Sequence, residues 1–276
     1  MLNVRKNKTN IILFIVLLVF GIINAVPFIW MILSSLKSTT ELTRVPPTFF
    51  PEKLLFSSYS EVVKVIPFLR FYTNTIFLTV IRTISQLVFC SMAAFAFAKL
   101  RFKGKNLVFM VLLSVLMVPP QMILVPNYII MRNLGLVDTL LGVALPGMFS
   151  AFGMFLLRQY YMSLPDEFLE AGRIDGYSFF GCFRSLYLPL TKSALISLLI
   201  FTVMYSWNDY LWPLIISSSE SSRVLSVGIA LLQGQNRIFY NQIMAGATMA
   251  TVPIIILFVF LQKYFVQGIA LSGVKG

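Results

Sequence analysis

The stretch EAGRIDGYSFFGCFRSLYLP, residues 170–189, is the longest charged break in an otherwise apolar chain. Between Arg158 and Lys192 lie four basic residues (Arg158, Arg173, Arg184, Lys192) and four acidic ones (Asp166, Glu167, Glu170, Asp175). The pattern predicts two short helices around a turn. Ser163, Pro165 and Asp166 are helix-start signals, with proline in the first turn and acids at the positive end of the helix dipole. Asp175-Gly176 is a turn dipeptide, because glycine accepts backbone angles that other residues resist. Ser178 is placed to cap a second helix on which Phe179, Phe183 and Leu186 share a face, and Pro189 stops it. Ala171 and Gly172 leave a smooth patch on the first helix, where another backbone has room to come close. Asp166, Glu167 and Glu170 put like charge on one face, a small local cost. Either Arg173, three residues beyond Glu170, relieves it, or a basic partner does.

On both sides of this stretch the chain is lipid-like. It has 276 residues, of which 58% are hydrophobic and only 12% charged, against about 25% charged in a soluble domain. The mean hydropathy is +0.85. This is the composition of a polytopic membrane protein, and one membrane domain accounts for it. The net charge of +12 does not point to nucleic acid. The basic residues cluster at the ends of apolar segments and form no stripe interleaved with aromatics. The chain has no histidine, and Cys90 and Cys182 have no metal-site or redox spacing. No catalytic or metal site is expected. No G-x-x-x-x-G-K-[ST] phosphate loop is present, so ATP chemistry is not expected in this chain.

The apolar pattern predicts an all-α integral membrane fold. A cytoplasmic amino terminus, residues 1–10, precedes one domain, residues 11–276. Six spans are expected, at about 11–36 (kinked at Pro27), 71–98, 107–125, 140–157, 194–216 and 243–265, each long enough for a hydrocarbon core of about 30 Å. The proline-rich outer segment after the first span is expected to hold a short helix around Tyr59 to Val65. Gly142, Gly147 and Gly153 suit close helix packing. Of the 22 lysines and arginines, thirteen fall in the proposed inner segments, eight in the outer ones, and Arg82 within a span. That bias puts both termini and the loop 158–192 in the cytoplasm. Arg82 costs about 2.5–3.5 kcal/mol at the centre of a span. Two readings are open for it: pairing or snorkelling within the bundle, or a role in a pathway.

The 170–189 stretch resembles the EAA loop of ABC-importer membrane subunits, the binding-protein-dependent inner membrane components. Their pattern is Glu-Ala-Ala, three residues, Gly, nine residues, Ile-x-Leu-Pro. Here it reads Glu170-Ala171-Gly172, then Gly176 after three residues, then Leu186-Tyr187-Leu188-Pro189 after nine. Gly172 replaces the second alanine and Leu186 the isoleucine. The segment WNDYLWPL, residues 207–214, resembles the Trp-Asn-Asp-Phe/Tyr element of carbohydrate importer permeases. With LRQYYMSLPDEFLEAGRIDG at 157–176, YTNTIFLTV and AAFAFAKLRFKGK within 72–105, and the carboxy-terminal sequence, it narrows the likeness to the maltose-type branch. The likeness runs from about residue 10 to the end. On residue type alone, Trp207, Tyr210 and Trp212 also read as an ordinary interfacial aromatic belt.

The resemblance implies a type I importer permease fold with six spans. Glu170, Ala171, Gly172, Ile174, Asp175, Gly176, Leu186 and Pro189 would form the coupling segment, which docks on a separate cytoplasmic ATPase. It implies no cofactor in this chain, with ATP and magnesium bound by the ATPase. The implied partners are a second, related permease subunit, two copies of a P-loop ATPase, an extracytoplasmic sugar-binding protein and the lipid bilayer. Asn208 and Asp209 would face a pathway or a neighbouring subunit. Gln233, Gln235, Asn236 and Tyr240 would meet the binding protein or its sugar. The implied function is carbohydrate uptake across the cytoplasmic membrane of a bacterium. Glycerol-phosphate or polyol import is the alternative within the same branch. An autonomous secondary transporter would need ionisable relays in its spans, and only Arg82 and Asp209 qualify; no internal repeat is visible either. An intramembrane enzyme lacks histidine, paired intramembrane carboxylates and a G-x-S-x-G elbow.

Overall fold

The computed structural model describes residues 2–233 and 238–273, and every regular element among them is helical. Helix α1 spans Leu2–Ser35 and runs through Pro27. Short helices α2 (Thr39–Leu42) and α3 (Ser57–Val65) follow, the latter where the sequence predicts one. Then come α4 (Phe68–Lys99), α5 (Lys105–Ser114) and α6 (Leu124–Asn133). Helices α7 (Leu140–Ala144) and α8 (Ala151–Ser163) are separated by a 3-10 turn, Leu145–Gly147. The charged loop forms α9 (Glu167–Ile174), α10 (Phe179–Cys182), a π turn (Phe183–Tyr187) and α11 (Leu188–Leu190). The chain ends with α12 (Lys192–Trp207), α13 (Leu211–Ile216), α14 (Leu225–Leu231) and α15 (Tyr240–Gly273).

Among the described residues, four segments are long and apolar enough to cross a membrane: Asn10–Ser35, Phe68–Lys99, Leu140–Ser163 and Tyr240–Phe260. Six qualify if each of two bent pairs counts as one span. The expected spans at 107–125 and 194–216 are not straight. The first is spread over Lys105–Met117 and Pro120–Asn133, which meet at 102°. Pro119-Pro120 supplies no amide hydrogen to continue a helix, and the chain turns there. The second begins at an 80° bend between Phe179–Leu190 and Lys192–Trp207 and is interrupted at 208–210. Pro213 explains the interruption: it cannot donate to the carbonyl four residues back, that of Asp209. Ser226 Oγ donates to that carbonyl instead, at 2.6 Å.

The chain forms two compact units. The first comprises Met1–Phe68 and Gly228–Val252. Here Asn241 accepts from Thr39 Oγ1 at 2.9 Å and donates to Ser58 Oγ at 3.0 Å, tying α2 and α3 to the start of α15. Buried Glu41 accepts from Thr48 Oγ1 and the Glu52 amide. Lys37 donates to the Thr48 carbonyl and lies over the Trp30 ring.

The second unit comprises Leu69–Val227 and Pro253–Gly276. One of its cores gathers Leu78, Met131, Val143, Trp212, Ile216 and Val224. At the edge of that core Asp138, in the left-handed region at φ 61, accepts from the Ser218 and Ser219 amides at 2.7 and 2.8 Å and from Ser222 Oγ. Partial burial pushes its carboxyl up. The Ser219 amide, Ser222 hydroxyl and Ser218 amide outweigh that and hold it well below the usual carboxylate range.

This cap gives a signed pH expectation. A depressed folded-state carboxyl contributes its full stability above the unfolded carboxylate's range and loses it only as pH falls through the folded value. Between pH 7 and 5 the Asp138 contribution stays constant. Asp138→Ala removes about 1–2 kcal/mol, the net worth of the hydrogen bonds lost by the Ser218 and Ser219 amides. The melting temperature of detergent-purified protein then drops by a similar amount at both pH values.

Candidate functional site

Two groups of candidate residues stand out, both in the second unit. The first is the charged loop. Helix α9 ends in a Schellman cap: the Gly176 amide donates to the Arg173 carbonyl and the Tyr177 amide to the Gly172 carbonyl. Gly176 sits at φ +86, where a side chain costs about 1–2 kcal/mol. Ser178 caps α10 through the Gly181 amide, as its sequence position predicts. The smooth patch at Gly172 is filled from within the loop. A Cβ there would lie 2.7 Å from Leu186 Cδ1 and 2.8 Å from Cys182 Sγ. The two positions at which the loop departs from the family pattern therefore touch, the missing methyl of one making room for the branch of the other.

The exposed side of the loop is different in kind. Ile174 is 85% exposed and Phe180 58%, and Phe168, Tyr177 and Phe179 are also open to solvent. Arg173 donates to the Tyr177 carbonyl at 2.8 Å and stacks over Phe179. Phe179 thus lies under that guanidinium, whereas Phe183 is buried in the core. Glu167, Glu170 and Asp175 make no ion pair among the described residues. The like-charge cluster is therefore not relieved by an Arg173 ion pair, and it faces outward beside an uncovered apolar patch. Pro189 lies within α11, just before the bend into α12.

The second group explains Arg82. Its side chain is about 2% exposed, and it bonds Asp209 Oδ2 at 2.8 Å, the Ala144 carbonyl at 3.2 Å and the Val143 carbonyl at 2.6 Å. One turn on, Gln86 donates to the Gly147 carbonyl and accepts from Thr202 Oγ1. A further turn on, Cys90 exchanges hydrogen bonds with the Ser150 amide and carbonyl. These three residues form one stripe on α4. They satisfy the backbone groups released where the span 140–163 is broken. Trp212 Nε1 adds donation to the Gly142 and Val143 carbonyls. Gly147 is part of the arrangement: its missing Cβ would lie 2.4 Å from Arg82 Nε. Of the three packing glycines, Gly153 faces Leu198 on α12 as expected, whereas Gly142 faces the Leu136 carbonyl and Gly147 the guanidinium.

Asp209 is thus the partner that sequence reasoning could not name for Arg82. Its neighbour Asn208 is exposed and donates to the Met204 carbonyl at the end of α12. Trp207 packs edge-on against Tyr72. Gln233 and Tyr240 are exposed and belong to the first unit. Gln235 and Asn236 lie outside the described residues. Lys99 gives no separate signal in the sequence among the basic residues 99–105. Its Nζ donates to the Leu164 carbonyl at 2.6 Å and to Asp166 Oδ1 at 2.5 Å. The Lys99 ammonium, by hydrogen bond and charge, holds the Asp166 carboxyl below its ordinary value.

The sequence profile described as the binding-protein-dependent transport system inner membrane component matches residues 86–271. The chain belongs to that family. It is 34% identical to the arabinooligosaccharides transport system permease protein of Halalkalibacterium halodurans, over 98% of this chain and 100% of the relative. It is 29% identical to the sn-glycerol-3-phosphate transport system permease protein of Brucella suis, over 96% of this chain and 97% of the relative. A solved bacterial ABC transporter involved in import of the acidic polysaccharide alginate superposes with a TM-score of 0.80. That match is at 27% identity and covers 94% of this chain and 97% of that one. This chain is therefore a multi-pass membrane permease subunit of an ABC importer.

The Arg82 stripe makes a stability prediction. Arg82→Met leaves the Asp209 carboxylate without its counter-charge and costs about 3–5 kcal/mol. Arg82→Met with Asp209→Leu recovers only part, because the Ala144 carbonyl loses its Arg82 donor and the Val143 carbonyl keeps only Trp212 Nε1. Gly147→Ala forces the pinned guanidinium to move and costs about 1–3 kcal/mol. Thermal melting of the purified variants in one detergent ranks the three.

Proposed function

We propose that this permease subunit takes up a carbohydrate delivered by an extracytoplasmic binding protein, by alternating access driven from a separate ATPase. The substrate class rests on the arabinooligosaccharide relative and the alginate importer, both named for carbohydrates. The fold would have six spans with both termini cytoplasmic, each bent pair counting as one span, and the loop 158–192 on the ATPase side. A second, related permease subunit and two ATPase copies complete the assembly, and ATP and magnesium bind on the ATPase.

One observation carries the coupling reading: a rigidly capped α9 presents unpaired acids beside uncovered Phe168, Ile174 and Tyr177. Alternating charge and large apolar side chains outside the spans suit a protein groove better than lipid or water. Glu170, Ala171, Ile174 and Asp175 form the contact surface. Gly172, Gly176, Leu186 and Pro189 shape it from behind. Asn208, Gln233 and Tyr240 have exposed polar groups suited to the pathway or the receptor, and Gln235 and Asn236 join that set on residue type. Asp209 acts there through Arg82. The glycerol-phosphate relative keeps a second substrate reading in view.

Co-purification under mild solubilisation tests the assembly. The tagged chain brings down a second permease and a P-loop ATPase. Glu170→Ala and Gly176→Val each weaken ATPase retention by about tenfold, the effect of roughly 1.4 kcal/mol. Unchanged retention in both variants removes the coupling role from this loop. In membrane vesicles carrying the complex and its receptor, arabinooligosaccharides compete for uptake and sn-glycerol 3-phosphate does not. The reverse result establishes the second reading.

A further inference from the structure

Asp166 occupies the N-cap of α9 yet makes no cap hydrogen bond. Thr139, Ser150 and Ser178 at the same position of α7, α8 and α10 each accept a backbone amide. Those three residues have extended backbone, whereas Asp166 has helical angles, φ −74 and ψ −20, so its carboxylate is not held on the amides of α9 and can bond elsewhere. It is turned onto Lys99, the last residue of α4. The lysine end of this pair is 3% exposed and the aspartate end 76%.

Lys99 is also unlike its basic neighbours. Arg158 donates to the Phe97 carbonyl, and Lys105 to the Leu100 and Ala98 carbonyls, so both close the end of α4 itself. Lys99 reaches across instead, to the Leu164 carbonyl, the Asp166 carboxylate and the face of Tyr187 at 5.7 Å. Tyr187 grips the same segment from the other side, its hydroxyl donating to the Pro165 carbonyl at 3.4 Å. One turn before Lys99, Phe95 packs edge-on against Tyr161 and Tyr187 and tilted against Phe183. The end of α4, the end of α8, the start of α9 and the π turn are thereby joined as one block.

We propose that Lys99 is a positioning residue for coupling. It fixes the start of α9 to α4, so that displacement of α9 reaches the Arg82–Gln86–Cys90 stripe on the same continuous helix. This rests on the reading of α9 as the ATPase-docking helix. Without Lys99, α9 still docks, but its movement is taken up by the 164–166 segment.

Pulsed electron paramagnetic resonance on the assembled importer tests this. Spin labels are placed at Glu167→Cys on α9 and Val88→Cys on the exposed face of α4; native Cys90 and Cys182 are buried and stay in place. In the otherwise wild-type chain the distance is narrow and identical in the nucleotide-free and vanadate-trapped states. In Lys99→Met it shifts on trapping, and its distribution roughly doubles in width as the segment samples a second packing. Lys99→Arg restores the narrow, nucleotide-independent distance. Asp166→Asn, a change at an exposed side chain, gives an intermediate width and provides the test if Lys99→Met does not assemble. Narrow, unshifted distances in Lys99→Met and Asp166→Asn overturn the proposal, as does a nucleotide-driven shift in the wild-type chain. If the wild-type chain assembles with no ATPase, the docking reading falls instead. The nucleotide-free distances then still report whether Lys99 holds α9, and equal widths with and without it overturn the tie.

Discussion

One buried guanidinium sets the terms for the second unit. In a hydrocarbon environment every backbone carbonyl needs a partner inside the protein, so a span can break only where side chains replace the lost helix bonds. The span 140–163 breaks around 145–150, and the stripe Arg82, Gln86 and Cys90 on α4 supplies those bonds. The penalty for placing the charge there is met by two carbonyls and the Asp209 carboxylate, all within 3.2 Å. Asp209 is within reach because α12 stops at Trp207, and it stops there because Pro213 cannot bond back. Arg82, Gly147, Pro213 and Asp209 are thus parts of a single solution: removing either charge strands the other, and a side chain at Gly147 displaces the guanidinium.

Cations do two different jobs along α4. At its centre Arg82 presents a planar fork that serves several acceptors at once, which a lysine could not match. At its end, Arg158 and Lys105 are occupied with the carbonyls of the helix terminus. Lys99, a compact charge on a flexible stem, is left to reach the chain entering α9. A rigid helix of 32 residues thus carries a polar anchor in its membrane half and another at the charged loop. No additional element is needed to connect the two regions within this unit.

How far the sequence was readable follows from the distance over which each feature is determined. The charged loop was readable in detail because its determinants are local: Gly176 needs only its own φ, and Ser178 only the amide three residues on. Hydropathy marks four of the expected spans as long apolar helices among the described residues, but it does not show the bends in the other two. A window averaged over 107–125 does not register that Pro119-Pro120 turns the chain through 102°. Arg82 stood out by its cost, while its partner lies 127 residues away and no spacing rule links them. Lys99 gave almost no signal, because a lysine after a span is ordinary positive-inside chemistry. Its contacts with the Leu164 carbonyl and the Asp166 carboxylate lie 65 and 67 residues away, where no spacing rule reaches. The sequence marks Gly172 as a place where another backbone has room to come close; what fills it is the side chains of Leu186 and Cys182 of the same loop.

The exposed apolar side chains on this chain are of two kinds, and the difference bears on what covers them. Along α1 the exposed residues from Ile11 to Phe20 are continuous and uncharged, and the polar group of Asn24 is returned to its own helix through the Phe20 carbonyl. Such a surface offers nothing to a partner beyond apolar area and suits lipid. Around α9 the pattern alternates: Phe168, Glu170, Ile174, Asp175 and Tyr177 mix large apolar groups with carboxylates that have no ion pair among the described residues. Lipid would leave those charges unsolvated, and water would leave the aromatics exposed. A groove with basic groups at its rim and apolar surface at its centre satisfies both, which is the division found in protein interfaces. On the coupling reading proposed above, the loop is one half of such a contact, held by a Schellman cap and by the Lys99 contacts.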